Sequence, residues 1–210
     1  MSKKMNKKKD ETTEQRILDA AERLFLEKGF AMTSTTEIAR EAGCNHALLH
    51  YYFRTKERLF EQIFEKKIIL FAGVFHGPDL PGESFEDKLR RKISAHFDIL
   101  IQNPKLPMLI LTDMTNSKER IALAKEALGH FPEMLLSNLD KELKIEIEKG
   151  SIRPITAQDL LMNILSLNIF AFVSMPLFTM ILEVREEDKK VFLEHRKEVI
   201  INTIINSLKP

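Results

Sequence analysis

Residues 34–56, STTEIAREAGCNHALLHYYFRTK, leave this chain few choices of fold. Ser34 and Glu37 have the spacing of a capping box, in which hydroxyl and carboxylate satisfy free N–H groups at a helix start. The spacing predicts a short helix over Thr35–Ala42, with Ile38, Ala39 and Ala42 on its apolar side. Gly43 supplies the positive φ needed where that helix stops. Asn45 can then cap a second short helix carrying Leu48, Leu49 and Tyr52. Two short helices joined by a glycine-containing turn have the plan of a helix-turn-helix, whose second helix enters the DNA major groove.

The flanks extend this head. Ile17, Leu18, Ala21, Leu24 and Phe25 recur at helical spacing over residues 11–28, and Gly29 ends the run. That helix would cross the pair and complete a three-helix core. The Arg54–Thr55 step reads as the cap of a further helix from Lys56 to about Phe75, with Leu59, Phe60, Ile63, Phe64 and Phe71 on its apolar side. HGPDLPG, His76–Gly82, is the clearest break in the chain. The expected division is a basic flexible tail over 1–10, a DNA-binding head over 11–72 with its motif at about 35–54, and a second domain over 73–210.

Nothing after Glu83 alternates as a strand would, so the expected class is all-α. Phe85, Leu89, Ile93, Phe97 and Leu100 mark one amphipathic helix, and Leu106–Thr115 is short and apolar. A longer run over Ser117–Lys149 is interrupted near Gly129 and Pro132, and Gly150 and Pro154 close it. The last helix covers about Glu187–Leu208. Leu160–Leu182 holds no charged residue, long enough for a membrane span. Asn163, Ser166, Asn168, Ser174, Pro176 and Thr179 interrupt it, and amides in lipid would need partners. The expectation is a helix buried against its own domain and a partner subunit, with no membrane.

Charge and cysteine content narrow the class further. Net charge is +1, but residues 1–60 carry twelve Lys/Arg against nine Asp/Glu, and the remainder twenty against twenty-two. Lys3, Lys4, Lys7, Lys8 and Lys9 form a solvated run or an arm that attracts phosphate. No apolar segment follows them, as a signal peptide would require. With Cys44 the only cysteine, no intrachain disulfide can form and a reducing cytoplasm is the expected compartment. A small turn residue is the plain reading of Cys44, a reactive thiol the other.

Ile17, Ala20, Ala21, Leu24, Phe25, Gly29, Thr33, Ile38, Ala39, Ala42, Gly43, Leu49, Phe53, Lys56 and Leu59 together resemble the TetR/AcrR family of bacterial transcription repressors. The resemblance covers residues 12–72 and implies double-stranded DNA carrying an inverted repeat as partner. It implies DNA contacts from Ser34, Thr35 and Thr36 at the first helix start. Asn45, His46, Ala47, Leu48, His50, Tyr51 and Tyr52 would follow from the recognition helix, and a phosphate contact from Lys56. Leu49 and Phe53 belong to the core instead. His50 stands where many members carry Tyr, and Cys44 where many carry a branched aliphatic. His46 and His50 are four apart, but no carboxylate or cysteine joins them on that face, so no metal is expected.

For the second domain the resemblance implies a homodimer built on the last two long helices, with Ile200, Ile201, Ile204, Ile205 and Leu208 as its apolar face. It also implies a pocket for a largely apolar small-molecule effector. Phe97, Met108, Met114, His130, Met134, Met162, Asn163, Phe170 and Met175 are the candidate lining; plain core is the alternative for these Met and Phe residues. No phosphate loop, nucleophile elbow or His-Glu-x-x-His pattern occurs, so neither catalysis nor a cofactor is expected. The reading is a ligand-released repressor. The rival is an architectural DNA-binding protein whose second domain only dimerises.

Overall fold

A computed structural model describes residues 2–77, 79–115 and 117–210, with the side chains of 2–12, 113–115 and 186 outside the description. All its regular elements are helical: α1 Ser2–Met32, α2 Thr35–Glu41, α3 His46–Phe53, α4 Lys56–Gly73, α5 Phe85–Gln102, α6 Leu106–Thr115, α7 Lys118–Leu128, α8 Phe131–Glu148, α9 Ala157–Val173, α10 Met175–Ile181 and α11 Lys189–Leu208. Short 3-10 turns occupy Val74–His76 and Glu186–Asp188.

The backbone of α1 is helical from Ser2, so the lysine-rich segment expected to lie outside the first helix continues it. Nothing between Ser2 and Lys28 breaks a helix, and lysine is a good helix former. At Gly29, φ 77 and ψ 166 interrupt α1. Side chains with a Cβ avoid that conformation, which is why glycine sits there.

The chain forms two compact units. One comprises Met1–Ile69 and Leu109–Ala127, the other Leu70–Met108 and Leu128–Pro210. The first crossing lies close to the boundary expected near residue 72, and two more follow, after Met108 and after Ala127, because α7 belongs with the head. The core of the first unit is Ile17, Ala20, Ala21, Phe25, Ile38, Leu49, Leu59 and Phe60, all nearly inaccessible to solvent. Phe25, Phe30, Phe60 and Phe64 follow one another at ring-centroid distances of 5.0–5.7 Å. The Arg120 guanidinium of α7 lies 4.3 Å from the centroids of both Phe30 and Phe60, a paired cation–π contact.

In the second unit, α5, α9 and α11 bury one another's apolar faces. Leu89, Ile93, Phe97 and Leu100 meet Leu160, Ile164 and Phe172 from α9, and Ile200, Ile201, Ile204, Ile205 and Leu208 from α11. The five α11 residues expected to form the dimer face are thus this chain's own core, each no more than 4% exposed. Periodicity marks the apolar stripe correctly, but two helices of the same chain already cover it. No single helix among the described residues is long and apolar enough to cross a membrane; α9 and α10 reach that composition only together, across a 53° bend.

Candidate nucleic-acid interface and effector cavity

Local capping positions the reading head. The Ser34 hydroxyl accepts from Glu37 N at 3.2 Å and the Glu37 carboxylate accepts from Ser34 N at 3.1 Å, so the capping box is complete. The Lys28 ammonium bonded to it at 2.9 Å, helped by the Ser34 amide and hydroxyl, holds the Glu37 carboxyl down at about 2. Gly43 adopts φ 65 after α2, and Asn45 Oδ1 accepts from Leu48 N at 2.8 Å to start α3. Leu49 and Phe53 point into the core. His46, Ala47, His50 and Tyr51 remain exposed on the other side, with Leu48 half-buried beside them.

The motif residues separate into three behaviours. Ser34, Thr36, Asn45, His46, Ala47, His50 and Tyr51 are exposed, so they can meet a ligand surface. Thr35 and His46 are joined, Oγ1 to Nε2, at 3.0 Å, which ties the first residue of α2 to the first of α3. Tyr51 is 78% exposed, whereas Tyr52 is half-buried, with its ring 6.3 Å from that of Phe53. Of the two tyrosines, Tyr51 is available to a partner and Tyr52 packs.

Lys56 differs from expectation. Its ammonium donates to the carbonyls of Phe30 at 2.9 Å and Thr33 at 2.8 Å, and lies 4.2 Å from the Phe30 ring centroid. The Thr33 hydroxyl donates to Leu24 O and Gly29 O in the same place. The last turn of a helix carries carbonyls without intrahelical partners and the negative end of the dipole, so a cation there is stabilising. Lys56 is foremost an anchor for the end of α1. A sequence signal exists: Thr33 and Lys56 both fall outside any apolar stripe yet flank helix ends. Cys44 is half-buried, and burial raises its pKa against the pull of Arg16, opposite to a reactive thiolate.

The second unit contains a cavity of about 470 Å³ between the Val74–His76 turn, α5, α8 and α9. Phe75, Phe85, Leu89, Phe131, Leu135, Leu139, Leu161 and Ile164 give it an apolar wall, and Asp79, Lys88, Lys92, Lys141 and Glu142 a polar rim. Of the expected lining residues only Met134 belongs to it. Phe170 and Met175 line a separate cleft of about 260 Å³ with Phe178, Leu182, Phe192 and Arg196. Phe97 is fully buried core against Phe172, at 4.9 Å between rings. Met108, His130, Met162 and Asn163 are exposed, and the Met114 side chain lies outside the described residues. Composition cannot separate these cases, because Met and Phe serve core, surface and cavity alike.

One turn beyond the cavity, on the same faces of α5 and α9, lies a buried polar pair. Asn168 Nδ2 is 3.0 Å from His96 Nδ1 and donates to Ile93 O at 3.2 Å. An amide with two donors so placed makes Nδ1 the acceptor, which puts the neutral imidazole proton on Nε2. Burial brings the His96 pKa down to about 4. Asn168 Oδ1 is buried with no partner among the described residues. A polar residue inside each helix's apolar stripe is the available sequence signal.

A family model described as bacterial regulatory proteins, tetR family, matches residues 17–63. A second, described as the tetracyclin repressor-like C-terminal domain, matches residues 86–204, more than half of the chain. The chain belongs to the TetR family. Its TetR relatives are transcription regulators. The HTH-type transcriptional regulator YerO of Bacillus subtilis (strain 168) is 32% identical over 111 residues, which is 52% of this chain and 37% of that protein. The match therefore spans little more than a third of YerO. Among solved structures, HlyIIR, a hemolysin II transcriptional regulator, has TM-score 0.64 at 23% identity over 96% of this chain and 99% of that one. FadR of Bacillus subtilis, crystallised with stearoyl-CoA, has TM-score 0.63 at 19% identity over 92% and 98%. These two likenesses show the TetR fold.

Proposed function

We propose that the chain is a cytoplasmic, homodimeric transcriptional repressor that leaves its DNA when a small molecule fills the second unit. The observation that carries this is α3, anchored by Leu49 and Phe53 with His46, Ala47, His50 and Tyr51 facing outward. On B-DNA, His46 would meet base edges and the Ala47 methyl a thymine methyl. Ser34, Thr36, His50 and Tyr51 would meet phosphates and fix the register. Thr35 holds His46 in place, and Asn45 keeps α3 capped while its amide N–H groups stay available.

Two α3 helices reading an inverted repeat require a dimer. With the α11 stripe used internally, the dimer surface falls to the exposed apolar side chains of α9 to α11: Phe170, Leu177, Met180, Ile181 and Val191 among them. The 470 Å³ cavity supports the effector reading over an architectural protein, because ligand pockets occupy roughly 300–1,000 Å³. FadR's stearoyl-CoA makes an acyl-derived effector one candidate.

Selection of binders from a random DNA pool tests the reading. It should enrich an inverted repeat, bound by a species of twice the 24.3 kDa chain mass in light scattering. His46→Ala should weaken that site by about 1–3 kcal/mol and alter the preferred base at one position per half-site. A pool with no enriched sequence overturns the proposal.

A further inference from the structure

The cavity wall holds a charge that a purely apolar effector would leave unanswered. Lys92 lies half-buried in it, and its ammonium donates one hydrogen bond, to the Phe75 carbonyl at 3.1 Å. An ammonium has three donors, and among the described residues no carboxylate is within ion-pair distance of Lys92. The two carboxylates on that rim, Asp79 and Glu142, are each 2.7 Å from the neighbouring Lys88 instead. Burial pushes the Lys92 pKa down and Lys88 pushes the same way, with Glu142 and Asp79 opposing. A partly dry ammonium with idle donors is unfavourable until an anion pairs with it. Beside it the wall is Phe75, Leu89, Phe131, Leu135 and Ile164, which offers nothing polar to a ligand side chain.

We propose that this cavity takes a monoanionic amphiphile: an apolar chain or ring system ending in one carboxylate, with that carboxylate on Lys92. The proposal rests on the effector reading and names the class of molecule. A carboxylate at Lys92 turns a half-buried charge with no counter-ion among the described residues into a pair, and partial burial makes that pair stronger than in bulk water. Asp79 and Glu142 set the upper limit on charge. Lys88, Lys92 and Lys141 exceed these two carboxylates by one positive charge, so a single carboxylate balances the lining and a dianionic phosphate head overfills it.

Calorimetric titration of the full-length wild type with laurate, dodecanol and dodecyl phosphate, each below its micelle concentration, tests this. Laurate should bind at least about tenfold more tightly than either other compound. Lys92→Gln should bring laurate down to the level of dodecanol and leave dodecanol unchanged, and Lys92→Arg should keep the preference. Undiminished laurate binding by Lys92→Gln overturns the assignment, as does a wild type that binds dodecanol as tightly as laurate. Equal binding of dodecyl phosphate overturns the single-charge limit. A folded wild type that binds none of the three overturns the proposal outright. Operator DNA retained by laurate-saturated protein would overturn the effector reading while leaving the carboxylate site in place.

Discussion

Both units cap helix ends locally, the second with Ser84 on Asp87 and Thr156 on Asp159. Among the described residues, though, only the second leaves a buried side-chain polar atom without a partner. In the first, helix ends are closed locally: Ser34 with Glu37, Asn45 with Leu48, and Thr33 with Lys56 over the end of α1. In the second, a histidine and an asparagine are buried together, and among the described residues one amide oxygen has no partner and an ammonium in a cavity wall has no counter-ion. A surface that must present one fixed geometry to a regular duplex gains from complete local satisfaction. A region that responds to a ligand gains from groups whose best partners are not yet present. On the function proposed above, the contrast fits a rigid head and a responsive second unit.

The strongest attempt to break that comparison is a charge in the α11 core. Ile201→Asp should unfold the second unit, with a loss of about 4 kcal/mol or more in urea denaturation, because an unpaired carboxylate would replace a buried methyl cluster. A folded monomer instead would return Ile201 to a subunit interface. Next in size is the response of His96 to acid. Its folded pKa of about 4 lies below the ordinary 6.5, so the unfolded chain takes up a proton that the folded chain refuses. Stability is then complete above about pH 6.5 and falls as pH drops toward 4, by on the order of 3 kcal/mol. Urea midpoints measured across that range should slope for the wild type and be flatter for His96→Phe. Equal slopes would remove His96 as the titrating group.

The smallest of the three sharpens the role of Lys56. Lys56→Ala removes two charge-assisted bonds to the end of α1, so it should destabilise the first unit by about 2 kcal/mol. DNA affinity should fall through loss of the folded head, with the salt dependence of binding by the remaining folded protein unchanged. A salt slope lowered by about one, with stability intact, would mean that Lys56 neutralises a phosphate.

Legibility in the sequence follows the range of the interactions. The capping box, Gly43, Asn45 and the breaks at Gly29 and Gly129 act within a few residues, so local sequence is enough to place α2, α3 and their neighbours. The apolar stripes of α5 and α11 are equally plain. What covers a stripe is decided by helices elsewhere in the chain, which for α11 are α5 and α9. The family resemblance gives the α11 stripe to a second subunit, whereas α5 and α9 occupy it. The cavity escapes a sequence reading for the same reason. Its wall is assembled from four separate segments, and Lys92, the informative residue, reads in sequence as an ordinary helix lysine. The DNA face is the easier site, since nearly all of it lies within one continuous stretch.

Arg120 has a consequence for how the protein is made. The head's aromatic cluster is closed by a residue synthesised some fifty positions after the last residue of its first segment, with part of the other unit in between. On the ribosome, helices α1 to α4 emerge before α7, so Phe30 and Phe60 lack that guanidinium until α7 arrives. A gene cut at the break after α4 would yield a head permanently in that state. A continuous piece of chain ending after α4 therefore holds only the first of the two segments that make up this unit.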